Sequence, residues 1–167
     1  VKRDHMIKFI IEYAVLKIKK RELILDDAVT DGYLLSLCFR QFFSFLRGFV
    51  LFRKFVSVGQ STSIICKSKI DIASGVSIGT NVVIDALGQD GLKIGSGTSI
   101  ASFSIIKVSG SLTSLGKGVC VGANVGIGEF AHIGGAGGVT IGDNTIVGAY
   151  FSIHPENHNF SDKEKLI

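Results

Sequence analysis

At 167 residues the chain is one ordinary domain, or one domain with a small helical attachment, and it is long enough to bury a core. The formal charge of +4 is uneven: residues 1 to 60 hold 11 Lys and Arg against 6 Asp and Glu, residues 61 to 167 hold 7 against 8, so the basic bias belongs to the N-terminal segment. Cys38, Cys66 and Cys120 are odd in number and widely separated, which argues against a disulfide frame or a zinc knuckle and for a reducing, cytoplasmic setting.

In chain order, the first element is an amphipathic helix over His5 to Arg21, with Ile7, Ile10, Ile11, Ala14, Val15 and Ile18 on one face. Glu12, Lys17, Lys19 and Lys20 break this apolar run, and no small-residue cleavage site follows, so no signal peptide is expected. After a Thr30-Asp31-Gly32 turn signal, Tyr33 to Val56 is overwhelmingly apolar and holds seven of the twelve Phe. Ser36, Arg40, Arg47 and Lys54 form one narrow polar stripe there. No uninterrupted apolar run nears the roughly 18 residues of a membrane span, so a span is not expected. Two readings remain for 33–56. The helix packs on the rest of the protein or a neighbouring subunit, or it lies at the inner membrane face with Phe side chains in the surface and basic residues on anionic head groups.

From Val58 an aliphatic residue recurs every six positions. Val58, Ile64 and Ile70 slip by two to Ile72, then Ile78 and Ile84 keep time. Ile94, Ile100 and Ile106 form a second series, Leu115, Val121, Ile127 and Ile133 a third, and Ile141, Val147 and Ile153 a fourth. Residues 85–93 and 107–114 interrupt the rhythm and read as loops bulging from a corner. Gly79, Gly95, Gly116, Gly122 and Gly142 follow the beat, and Asn81, Gly97, Gly118, Asn124 and Asn144 come two later, as a repeated tight corner requires. A beat of six fits neither an amphipathic helix nor an alternating strand. It predicts a mainly β chain, a parallel β-helix of roughly five coils with an N-terminal helical segment, in which each short unit buries its apolar side only by stacking on the next. The expected division is 1–57 helical and 58–167 β-helix.

The repeated Ile/Val/Leu-Gly units, the phrase Val139-Thr140-Ile141-Gly142-Asp143-Asn144 and the closing Asn157-His158-Asn159-Phe160 resemble the hexapeptide-repeat acyltransferases, in particular the sugar and polysaccharide O-acetyltransferases. The resemblance covers Val58 to the end. It implies a left-handed β-helix with three hexads per coil, a homotrimer with sites in grooves between subunits, and transfer of acetyl from acetyl-CoA to a hydroxyl of a sugar or lipid-linked saccharide. Members of that group run on through further coils that help hold coenzyme A; the domain here is expected to lack them.

Moving acetyl from a thioester to a hydroxyl needs a base for the hydroxyl proton, and imidazole titrates in the useful range. By resemblance the base is His158, with His154 as second choice. Asn157, Glu156, Glu129 and His132 are candidates for the acceptor side, and either Glu could hold the second ring nitrogen of the base. Gly142, Gly148 and Ala149 are candidates for the path of acetyl-CoA. Where the family often carries an acceptor-touching Asn, this chain has Gly128. His132, one residue before a beat Ile, faces outward on the coil surface, and Cys120 reads as a partly buried, inert thiol. Neither a metal cofactor nor a nucleic-acid partner is expected. Two alternatives stand: a metal enzyme similar to γ-class carbonic anhydrases, with His132, His154 and His158 as ligands, and a non-catalytic scaffold, for which no repeated outward aromatic is visible.

Overall fold

The computed structural model describes residues 6–19 and 24–156. It forms two compact units, Val1–Phe43 and Ser44–Ile167, divided within a long helix. In the first unit, helix α1 spans Met6–Lys19. Its start is tied to the beginning of the next helix, since the amides of Ile7 and Lys8 donate to the Asp31 carboxylate (3.3 and 3.4 Å), which satisfies donors that a helix N-terminus leaves open. The buried Lys8 ammonium donates to the Asp26 carbonyl (2.8 Å) and pairs with Asp27 (3.0 Å).

Helix α2 runs Asp31–Phe52, and Thr30 caps it, its hydroxyl accepting from the Tyr33 amide at 3.3 Å. The helix holds an 18-residue window of mean hydropathy 1.4 with at most two charged residues, so length and composition alone would let it cross a membrane. Arg40 and Arg47, with Ser36, Gln41 and Ser44, keep any uninterrupted apolar run in it short.

Among the described residues fourteen short strands follow: β1 (Ser57–Val58), β2 (Ser63–Ile65), β3 (Ile70–Ile72), β4 (Ser77–Ile78), β5 (Val83–Asp85), β6 (Gly91–Ile94), β7 (Ser99–Ile100), β8 (Ile105–Lys107), β9 (Gly118–Val121), β10 (Gly126–Ile127), β11 (His132–Gly134), β12 (Val139–Ile141), β13 (Ile146–Val147) and β14 (Ser152–Ile153). Each pairs in parallel with the strand three places away, giving three sheets in rotation: β1-β4-β7-β10-β13, β2-β5-β8-β11-β14 and β3-β6-β9-β12. This topology is compatible with a parallel β-helix. One pass through the three sheets is a rung, and every rung lays an aliphatic residue from each sheet on its predecessor. Ile78, Ile84, Ile94, Ile100, Ile106, Val121, Ile127 and Ile133 are all buried in one core. Burying a side chain of this size is worth about 1.5–3 kcal/mol each. The buried hydroxyls of Thr98 and Ser104 donate to the carbonyls of Gly122 and Gly128 (2.7 and 3.1 Å) on the next rung, so no buried side-chain polar atom among the described residues lacks a partner.

Corner residues adopt the left-handed conformation at Asn81, Gly97, Asn124 and Asn144, as their types require. Gly118 is different from the expectation: it opens β9 and its need is space against Gly91. Leu115 is not an inward residue but 38% exposed, because 108–117 leaves the winding as a loop and the core row resumes at Val119 and Val121. Both insertions, before β6 and before β9, enter at the corner between the second and third sheets, where a bulge leaves the other pairings intact.

Candidate functional site

Along each strand the side chains alternate between core and outside. On the second sheet this sets Ile106, Ile133 and Ile153 in the inward row, and the pairing stacks Ile105, His132 and Ser152 in one outward column. A second outward column holds Asp85, Lys107 and Gly134, and the chain leaves β14 at His154 beside Gly134. The two imidazoles, 22 residues apart in sequence, therefore meet edge to face with ring centroids 4.6 Å apart and planes at 85°. Gly134 makes the room: a Cβ there would lie 2.8 Å from Nδ1 of His154.

His132 is half-buried and its pKa is lowered from the ordinary 6.5, first by burial, then by the charges of His154 and Lys107. A neutral ring is favoured there, which can accept a proton or a hydrogen bond. His154 is exposed. His158 and Asn157 lie outside the described residues.

The remaining candidates fall on two sides of this pair. Glu156 is exposed and borders a cleft of about 380 Å³ with Ser111, Ser114, Gly116 and Gly137, and the Pro155 carbonyl closes directly over Gly137. Glu129 is exposed at the corner between the first and second sheets, where its carbonyl accepts from the Tyr150 amide at 2.9 Å. Gly148 and Ala149 share that corner, whereas Gly142 sits at the other end of β13. Of the described site residues, Gly148, Ala149, His154 and Glu156 lie on the last rung and Glu129 and His132 on the rung before it, while Gly142 is separated from the imidazoles by a full strand. Among the described residues no three His, Cys, Asp or Glu side chains gather as a metal site.

Two features differ from the sequence expectation. Cys120 is exposed, since it occupies the outward column of the third sheet between Lys93 and Thr140, and it borders a cleft of about 250 Å³ with Lys117. An outward aromatic row does exist: Phe103, Phe130 and Tyr150 stack with centroids 5.1 and 5.0 Å apart and planes within 7° and 3°. All three are exposed and have φ near +60°, a conformation bulky side chains seldom adopt. Ring stacking, at about 0.5–1.5 kcal/mol per pair, offsets that strain. The signal was in the sequence, because each ring comes three residues after a beat residue (Ile100, Ile127, Val147). The row ends two residues before β8, β11 and β14, so it borders the sheet face that carries His132.

No family model matches the chain, and no curated protein sequence matches it.

Proposed function

We propose that the chain is an O-acetyltransferase of the hexapeptide-repeat type, wound as a left-handed β-helix, which moves acetyl from acetyl-CoA to a hydroxyl of a sugar or polysaccharide precursor. The observation that carries the reading is the convergence of His132 and His154 on one outward face across the last two rungs, with the neutral form of His132 favoured by burial. His158, a few residues further on, is the base by resemblance, and His154 is the second choice.

The base takes the acceptor hydroxyl proton as the oxygen attacks the thioester carbonyl. The carbon–sulfur bond then breaks, the thiolate of coenzyme A leaves, and the imidazolium returns its proton to that sulfur. His132 limits the ways the neighbouring ring can turn, and Glu156 or Glu129 serves the acceptor side. A Cβ on Gly142 or Gly148 would meet nothing within 4 Å among the described residues, and acetyl-CoA would lie along the edge of β13 between them, with Ala149 beside it. In this reading the active form is a homotrimer whose sites are completed between subunits.

Release of free thiol from acetyl-CoA, followed with a panel of saccharide acceptors, tests the proposal. His158→Ala is expected to lower kcat/KM by roughly 10²- to 10⁴-fold, the usual worth of a positioned base. If His154→Ala carries that loss instead, the base is His154. Full activity in both variants, or no acceptor-dependent thiol release by the wild type, overturns it.

A further inference from the structure

Helix α2 leaves many of its apolar residues exposed. In the second unit Ser44 is buried and Arg47 reaches the Val58 carbonyl (2.9 Å) and the Ser44 hydroxyl (3.1 Å), while Leu46, Phe49 and Val50 are exposed. In the first unit Leu35, Phe39 and Phe42 are exposed in the same helical series, since positions 35, 39, 42, 46 and 49 advance by alternate steps of four and three. Phe39 and Phe42 are 68% and 62% open, Phe49 and Val50 52% and 62%. Exposed apolar residues recurring at this spacing along one helix mark a surface that something covers.

Charge indicates what covers it. Between Gly32 and Ile70 the sequence holds six Lys and Arg and no Asp or Glu. Of these cations only Lys54 has a carboxylate within 4.0 Å among the described residues, Asp71 at 3.7 Å. Arg40 and Arg53 are exposed beside the strip, and Arg53 stands one further step of four beyond Phe49. Phe55, 69% exposed, extends the apolar surface past the helix end.

We propose that α2 lies flat on an anionic lipid bilayer, its outward strip sunk at the boundary of head groups and acyl chains, with Arg40 and Arg53 among lipid phosphates. A helix lying in the interface is favoured over one that spans, because the opposite face is already engaged within the second unit. Leu51 and Phe52 pack on the strand core, and Gly48 lies directly against the Val56 carbonyl. Over Ser44–Phe52 that leaves one face for lipid. A second copy of the helix fits less well: Phe43, Val50 and Phe55 widen the strip beyond a two-position seam, and a symmetric pair would bring uncompensated cations together. The inference stands independently of acetyl transfer.

Co-sedimentation with vesicles tests it. The full chain is expected to bind vesicles of phosphatidylcholine mixed with phosphatidylglycerol, to bind phosphatidylcholine alone more weakly, and to lose binding as salt rises. The double change Phe42→Glu and Phe49→Glu, at exposed positions, is expected to weaken binding about ten-fold or more, a loss of roughly 1.4 kcal/mol or more, with the melting temperature unchanged. Leu112→Glu, which alters an exposed apolar residue in the loop before β9, is expected to bind as wild type. Failure to bind mixed vesicles, or equal binding by the double variant, overturns the proposal. So does an oligomer in lipid-free solution that the double variant dissolves, since that assigns the strip to a second copy.

Discussion

The two ends of the strand stack use the same residues under different cover. At the first rung, Val56 and Val58 are 0% and 2% exposed, Leu51 and Phe52 of α2 pack against the same core, and Arg47 and Lys54 donate to the carbonyls of Val58 and Ile72 (2.9 and 2.6 Å). On the last described strand of each sheet, Ile141, Val147 and Ile153 occupy the inward row yet remain partly exposed. Glycines show the same contrast. A Cβ on Gly128 would fall 2.5 Å from the Ala149 amide, and one on Gly122 would collide with the Asp143 carboxylate, whereas Gly142 and Gly148 face open space. Burial in a winding is thus conferred by the neighbouring rung rather than by the residue. Among the described residues no rung lies beyond β14, and there backbone edges and the His154 imidazole are accessible, which is what a site needs.

The largest expected effect lies in the middle. Ile106→Ala removes a fully buried side chain with rungs above and below and is expected to cost about 2–5 kcal/mol in urea unfolding, whereas Val147→Ala at the open end should cost well under half of that. Equal losses would show that the last rung is covered after all. Next in size is Gly128→Ala, which forces backbone apart and should cost about 1–3 kcal/mol, set against Gly148→Ala, which should be neutral or stabilising by up to about 1 kcal/mol. Thermal melts of the pair decide whether the contrast between inner and outer rungs is real. At the covered end, Arg47→Ala leaves the Val58 carbonyl without its charged donor and should cost about 1–3 kcal/mol, read in the same melts.

A smaller effect distinguishes the open end by pH. His132 has its folded-state pKa depressed, so as acidity rises the unfolded chain takes up the proton first. Its contribution to stability is intact above the ordinary value of 6.5 and is lost as pH falls from there through the depressed folded-state value. His132→Phe should flatten that part of the stability profile while leaving the profile above pH 7, roughly the end of imidazole titration, unchanged.

Much of the strand region was legible because a rung repeats one physical demand. An aliphatic inward residue at Ile78, Ile100 or Ile127 and a left-handed Asn at Asn81, Asn124 or Asn144 recur for the same reason each time. The misreadings fall where that demand changes. Leu115 keeps the beat by coincidence inside an insertion, and Cys120 sits next to a beat residue although its column faces solvent. The rings of Phe103, Phe130 and Tyr150 went unnoticed because 27 and 20 residues separate them, and a spacing broken by the 107–114 insertion hides a stack that the fold restores. The His132–His154 contact had the same character, a pairing made by register across 22 residues rather than by any local motif.

The central claim is that imidazoles at the open end take a proton from an alcohol while an acetyl thioester is consumed. Mass spectrometry of a saccharide acceptor incubated with acetyl-CoA tests it most directly, comparing the wild-type chain with the double variant His154→Ala and His158→Ala. The account predicts acceptor carrying one added acetyl group with the wild type and its near-complete loss, roughly 10²-fold or more in rate, with the double variant. Equal product from both, or none from the wild type across neutral and acidic saccharides, would contradict it.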